Sequence, residues 1–291
     1  MITKDSLYRG TAFGEEFRVF AVDSTQTVLA ARKLHDLSPL ATILMGKMIS
    51  AAALMSMELK VPRSDVTLKV EGHGALTGAF IICTMEGKIR GYANEPHLFF
   101  EETKQNLEPG KHLGAGTLTV MHQYPGKQAQ LGSVELISGE IAEDLAQYYL
   151  LSEQIPTAVN IGLLIDKQAF VRASGGFIIQ QMPDASPKNA DLLIRNLANT
   201  PNISDLMDMG FTIPDILKKF VFKDASVRLT ESHKLVYRCD CSRTKFSRAL
   251  LLLGKTDLTT MREGITPVCK YCNKEYHFSA GDISALLEKL G

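Results

Sequence analysis

Neither sign of charge is in excess in this 291-residue sequence: 32 Lys+Arg stand against 32 Asp+Glu, a formal net charge of +0. A balanced chain is not built as a dedicated binder of nucleic acid or of acidic membranes. The common catalytic signatures are missing too. No H-E-x-x-H, no G-x-x-x-x-G-K-[ST] and no G-x-S-x-G occurs. The usual hydrolase and nucleotidase chemistries therefore have no residues to stand on, and the chain does not read as an enzyme. Met1-Ile2-Thr3-Lys4-Asp5 lacks the charged, apolar and small-residue succession of a secretory signal. Cysteine is scarce, five in all, with four of them in close pairs. Close thiols without a signal point to a reducing, cytoplasmic interior.

Long apolar runs are also few. Residues 40–57 approach the length of a membrane span, but Lys47 falls in their middle and Gly46, Ser50 and Ser56 dilute them. A lysine at the centre of a span costs roughly 2.5–3.5 kcal/mol. The run reads as a buried core helix, with no membrane partner. Its methionines, Met45, Met48, Met55 and Met57, read as core packing rather than as an adaptable binding surface.

What is present suits an ordinary globular chain of two domains, or one domain with an appendage: 45% apolar and 22% charged residues. Residues 5–22 read as a strand, and Ser24 as the cap of a helix ending near Leu34. Ser38-Pro39 is a strong helix start, a cap residue followed by proline at the first helical position. Strands are expected over 66–70, 79–83, 87–92, 114–121 and 132–136, and a helix over 141–151. Two more strands, 159–165 and 177–181, follow, with Gly175-Gly176 as a turn. Gly72, Gly74 and Gly78 are spaced G-x-G-x-x-x-G and lead into a strand, which is a hairpin and not a phosphate cradle. Cys83, in an apolar strand, reads as a buried small hydrophobe.

The fold class is thus α+β: an N-terminal antiparallel-sheet domain with flanking helices over 1–183, a helical linker over 184–235, and a small zinc-binding domain over 236–291. The linker reads as short helices at 190–198, 203–209 and 214–219, with Ser204 and Pro214 as start signals, and a hairpin over 227–237. In the last segment Ser242 caps a helix carrying Phe246, Ala249, Leu250 and Leu253, stopped by Gly254. A short helix over 258–262 follows, then a knuckle at the second cysteine pair, a strand at Tyr276-His277-Phe278, and a capping box at Ser279 and Asp282 that opens a helix over 283–290. About 55 residues with so few large apolar side chains are marginal alone.

A metal supplies what that core lacks. Cys239-Asp240-Cys241 and Cys269-Lys270-Tyr271-Cys272, 27 residues apart, offer two pairs of thiolates, the S₄ set of structural zinc. His277 is a fifth candidate ligand, but four sulfurs already complete a tetrahedron, so it reads as a surface or packing histidine. Zinc holds sulfurs as thiolates, the form that oxidants attack, and close thiols also form disulfides. Oxidation would remove a folding contribution on the order of 10–16 kcal/mol and unfold so small a domain. Spacing alone leaves two uses open, a permanent staple and a switch. A third reading is a zinc-ribbon nucleic-acid module. Nine basic residues against six acidic ones over 236–291 give +3, which four thiolates on Zn²⁺ reduce to about +1, a weak footing for phosphate.

The two cysteine pairs close a chain containing Ser152-Glu153-Gln154-x-Pro156-Thr157, Gly175-Gly176-x-Ile178-x-Gln180, and Gly72-x-Gly74 followed by Arg90-Gly91-Tyr92-Ala93. This resembles the heat shock protein 33 family of redox-regulated holdase chaperones over essentially the whole length. The resemblance implies an ATP-independent chaperone held inactive by zinc on Cys239, Cys241, Cys269 and Cys272. It implies that oxidation forms a disulfide within each pair, releases zinc, and unfolds the C-terminal domain and linker. The exposed apolar surface then binds unfolding proteins, and the active form is a homodimer. The apolar linker positions Leu192, Leu193, Leu197, Leu206 and Leu217 are the candidate client contacts. The zero net charge departs from the acidic balance expected of the family.

Overall fold

The structure is a computed structural model that describes residues 5–99, 107–166, 168, 170–223 and 227–290. Most of Met1-Ile2-Thr3-Lys4-Asp5 therefore lies outside the described residues. It divides into two compact units, Met1–Tyr237 and Arg238–Gly291.

The alternation over 5–22 is two strands, β1 (Ser6–Ala12) and β2 (Phe17–Asp23). Phe13, Gly14 and Glu15 all take positive φ between them, which turns the chain sharply back. α1 (Thr25–His35) follows Ser24, but not through the expected cap: the Ser24 side chain makes no cap bond. Its hydroxyl instead meets Ser50 at 2.8 Å and Ser174 at 2.9 Å in the interior. The cap comes from a distant residue, Asp5, whose carboxylate accepts from the N–H groups of Gln26 and Thr27 at 2.9 and 2.5 Å.

α2 (Pro39–Ser56) begins as expected, the Ser38 hydroxyl accepting from Ala41 N. It is long and apolar enough to cross a membrane, yet 89% of it is buried inside the protein. Its methionines are core residues. Lys47, partly exposed, reaches the carboxylate of Glu140.

The chain continues through β3 (Asp65–Gly72), β4 (Gly78–Thr84), β5 (Lys88–Ala93), α3 (Pro109–Leu113), β6 (Gly116–Gln123), β7 (Gln130–Glu135), α4 (Ala142–Tyr148) with a π-helical turn to Glu153, β8 (Thr157–Ile165) and β9 (Val171–Gln181). Short helices α5 (Pro187–Ala198), α6 (Ile203–Asp208) and α7 (Ile213–Ile216) precede β10 (Val227–Lys234) and β11 (Val236–Tyr237). Two sheets result, ordered β10-β1-β2-β9-β8 and β11-β5-β4-β3-β6-β7. All neighbours are antiparallel except β11 and β5. α2 touches β2, β8 and β9 of one sheet and β3, β4 and β5 of the other. One apolar core surrounds it, with Phe20 and Ile178 from the first sheet and Leu68 and Ile81 from the second.

The five-stranded sheet is covered on its other face too. Phe17, Val19, Phe177 and Ile179 form a second core with Leu193, Leu206, Ile216 and Leu217 of the short helices. Strands buried on both faces lose the alternation that marks a one-sided sheet. The first of those helices opens at a Ser186 cap, ahead of the expected Ala190. The second begins at Ile203 as expected, with Asn202 rather than Ser204 at the cap position, and Pro214 lies in the first turn of the third, which Thr212 caps. The Glu16 carboxylate fastens the first of them, accepting from Ser186 N at 2.8 Å and Asn189 Nδ2 at 3.0 Å.

Two expected turns are strand instead. Gly175-Gly176 lies inside β9, paired with Asp23 and Val22 on one side and with Gly162 and Ile161 on the other. A Cβ on Gly175 would sit 2.5 Å from the Val22 carbonyl oxygen, and one on Gly176 2.5 Å from that of Asn160. The glycines serve close approach, not chain reversal. Nor is 227–237 a hairpin. β10 pairs with β1, and after Leu235 the chain joins the other sheet, Val236 and Tyr237 lying parallel to Lys88 and Ile89.

Candidate metal centre

The second unit holds α8 (Arg243–Leu252), α9 (Gly254–Thr260), β12 (Gly264–Ile265), β13 (Phe278–Ser279) and α10 (Ala280–Glu288). Its buried apolar core is Leu250, Leu258, Tyr276, Phe278, Ile283 and Leu286. Local signals place most of it. The Ser242 hydroxyl accepts from Lys245 N to open α8, and Ser279 and Asp282 form the expected capping box. Arg243 ties the two helices together: its guanidinium meets Asp282 at 2.8 Å and lies 4.5 Å from the Phe278 ring centre. That ion pair, together with the hydrogen bonds from Ser279, lowers the Asp282 carboxyl to about 2. Gly254, with φ +85°, ends α8 and begins α9, which spans 254–260 rather than 258–262.

The cysteines sit on two tight bends. Between Cys239 and Cys241, the Asp240 carbonyl oxygen accepts from Lys245 Nζ at 2.6 Å, and its carboxylate from Arg238 Nε at 3.0 Å. In the second pair, the Cys269 carbonyl oxygen accepts from Cys272 N and Asn273 N at 3.2 and 2.8 Å, and Cys269 N donates to Lys274 O at 2.9 Å. Asn273 takes the left-handed conformation that reverses the chain, one that asparagine tolerates well. A bridge between Val268 and Glu275 closes the bend.

These bends bring the sulfurs of Cys239, Cys241, Cys269 and Cys272 all within 4.8 Å of one another. Cys239 and Cys269 are 3.7 Å apart, Cys241 and Cys272 3.3 Å. Sulfurs at the corners of a ZnS₄ tetrahedron lie roughly 3.8 Å apart. The donor set, its spacing and its partial burial therefore fit a tetrahedral thiophilic cation. Four thiolates this close repel one another, and a divalent cation is what offsets that charge. Burial raises the Cys239 and Cys272 thiols. At Cys241 burial acts the same way, but hydrogen bonds from Tyr276 and the neighbouring thiols outweigh it and bring the thiol to about 7.

His277 stays outside the cluster, its Nδ1 3.0 Å from the Thr266 hydroxyl. Cys83 is buried far along the sequence in β4, as expected. The residue that sequence reasoning missed is Tyr276, placed on a strand and given no role. Its hydroxyl donates to Cys241 Sγ at 3.1 Å. Its position four residues past Cys272 was the available signal, but spacing says nothing of where a hydroxyl points.

Comparison with known proteins follows the same lines. Residues 5–279 match the family described as Hsp33 protein. The chain is 37% identical over 290 residues to the 33 kDa chaperonin of Clostridium botulinum (strain Langeland / NCTC 10281 / Type F), covering 98% of each. It is 37% identical over 291 residues to the 33 kDa chaperonin of Clostridium perfringens (strain SM101 / Type A), covering 98% of this chain and 92% of that one. The crystal structure of the 33 kDa chaperonin (heat shock protein 33 homolog) from Thermotoga maritima matches with a TM-score of 0.90 at 33% identity, covering 98% of both chains.

Proposed function

The chain belongs to the Hsp33 family of chaperones, and from that premise we propose that it is a redox-regulated, ATP-independent holdase. Cys239, Cys241, Cys269 and Cys272 are the zinc ligands and the redox-active cysteines. The observation that carries this is the four sulfurs within 4.8 Å in a unit with so small a core of its own. Bound zinc supplies a cross-link between the two bends and holds the thiols as thiolates.

On this reading a disulfide forms within each pair, Cys239 with Cys241 and Cys269 with Cys272. Forming each disulfide takes two electrons from its two thiolates, and one hydrogen peroxide accepts them as its O–O bond breaks and both oxygens leave as hydroxide. The cross-link between the bends is lost with the ligands. The apolar core of the second unit cannot replace a contribution on the order of 10–16 kcal/mol, so the switch domain, residues 236–291, unfolds. The linker, residues 184–235, follows. Leu193, Leu206 and Leu217, buried against Phe17, Val19 and Phe177, then leave apolar surface on which unfolding proteins bind. The active form is a homodimer, and the setting is the reducing cytoplasm, where the resting thiols persist.

The test is suppression of aggregation of a heat-denatured client, measured with zinc-loaded reduced protein, with peroxide-treated protein, and after re-reduction. Activity only in the oxidised sample is the expected result. Equal behaviour in all three removes the switch.

A further inference from the structure

The Tyr276 hydroxyl meets the Cys241 sulfur from a ring that is held in place. Tyr276 is 7% exposed, and its ring stacks on Phe246 with centroids 4.7 Å apart and planes at 30°. Lys274 Nζ lies 5.4 Å from its centre, and its own N–H donates to Pro267 O at 3.0 Å. Cys239 and Cys272 draw on backbone N–H groups, those of Cys241 and Lys274. The contact from Tyr276 comes from a side chain, so one atom can be removed without disturbing the bend.

We propose that Tyr276 is a brake on oxidation of the cysteine centre, its hydroxyl drawing charge from the Cys241 sulfur and slowing that thiolate's attack on a hydroperoxide. The inference rests on the redox-switch reading above. While a metal holds every sulfur as thiolate, the thiolate fraction no longer separates one cysteine from another, and intrinsic nucleophilicity sets the rate. The Cys241 thiolate attacks one peroxide oxygen, the O–O bond breaks, and hydroxide leaves, giving a sulfenic acid. A second thiolate attacks that sulfur, the S–O bond breaks, a second hydroxide leaves, and a disulfide remains. Two electrons have passed from the two sulfurs to one peroxide. A hydrogen bond donated to the attacking sulfur lowers its basicity and slows the first step.

Nucleophilicity rises roughly threefold for each tenfold gain in basicity. Losing one hydrogen bond to a charged sulfur is therefore expected to speed that step roughly three- to tenfold. The experiment uses the full-length, zinc-loaded, reduced protein and Tyr276→Phe, which keeps the ring and its stack. Zinc release after hydrogen peroxide is followed with a chromogenic chelator, and the order of cysteine oxidation by mass spectrometry. The expected result is faster release in Tyr276→Phe, earlier oxidation of Cys241, and an unchanged zinc content before peroxide is added. Phe246→Leu, which loosens the stack but keeps the hydroxyl, should release zinc more slowly than Tyr276→Phe; equal acceleration would make the effect one of packing and overturn the proposal. Wild-type protein that releases zinc at the same rate as Tyr276→Phe overturns the brake alone. Wild-type protein that keeps its zinc under peroxide overturns the switch and the brake together.

Discussion

Tyr149 donates its hydroxyl proton to Oε1 of Glu58, and Gln180 Nε2 donates to Oε2 at 3.3 Å. This joins the end of α2, the π-helical turn and β9 through one carboxyl group. Burial pushes that carboxyl up to about 7, outweighing both hydrogen bonds and the Arg18 charge.

Glu58 should therefore make stability depend on pH in a direction opposite to that of most carboxylates. An unfolded glutamate loses its proton near pH ~4.3, whereas the folded chain keeps it to about pH 7. Stability is full below the unfolded value and falls as pH rises through the window from about 4.5 to 7. Glu58 lines a cleft of about 290 Å³ and keeps some contact with solvent, so the expected swing is about 2 kcal/mol rather than the full linkage value. Urea midpoints from pH 4.5 to 8 should decline in the wild type and stay flatter in Glu58→Gln. The same slope in both would assign the effect elsewhere.

Cys83 should be inert in the native protein. It is fully buried, and burial pushes its thiol up to about 12, leaving almost no thiolate to react. Iodoacetamide at pH 8, read by mass spectrometry, is expected to leave Cys83 unmodified until denaturant is added. Labelling under native conditions would place it near the surface.

Metal content separates the cysteines by role. Zinc-replete wild type and Cys83→Ser are expected to hold one zinc per chain, and Cys272→Ser well below one, because a site of three thiolates binds more weakly. Elemental analysis gives the count. Hydrogen exchange should show protection lost over 238–290 when a chelator strips the wild type; unchanged protection there would mean the second unit folds without metal.

Gly175→Ala should destabilise the first unit by about 2–3 kcal/mol. The new methyl would lie 2.5 Å from the Val22 carbonyl oxygen and 2.9 Å from Met207 Sδ. Met207→Ala in the same chain relieves only the second contact, so the double variant should recover part of the loss. Urea unfolding measures both, and full recovery would show that the backbone contact is not the constraint.

The legible features were those whose cause is local. Ser38-Pro39, Ser242 and the Ser279–Asp282 box open helices through bonds spanning three residues. The cysteine pairs could be read because a bend brings neighbours in sequence together. What failed depended on partners far away. Ser24 looked like a cap, but the cap of α1 is Asp5, and the Ser24 hydroxyl went to Ser50 and Ser174. Gly175-Gly176 looked like a turn because glycine marks both reversal and close approach, and only the adjoining strands decide which. Val227–Lys234 finds its partner in β1, more than two hundred residues earlier. Tyr276 escaped because a hydroxyl's aim is a property of packing, not of spacing.

The short helices over the second core have a mechanical property that follows from their two attachments. They begin where Glu16, in the turn between β1 and β2, grips Ser186 and Asn189. Beyond them the chain returns as β10 to lie along β1, from Ala12 against Val227 to Ser6 against Lys234. The cover is an arch with both feet on the sheet it spans. Such an arch does not lift from its crown; one foot has to come free first. The feet differ in kind, one a carboxylate held below the usual range by its N–H partners, the other a strand zipped along its length. Strong acid loosens the first and tension on the chain peels the second, so two unrelated stresses reach the same apolar surface from opposite ends.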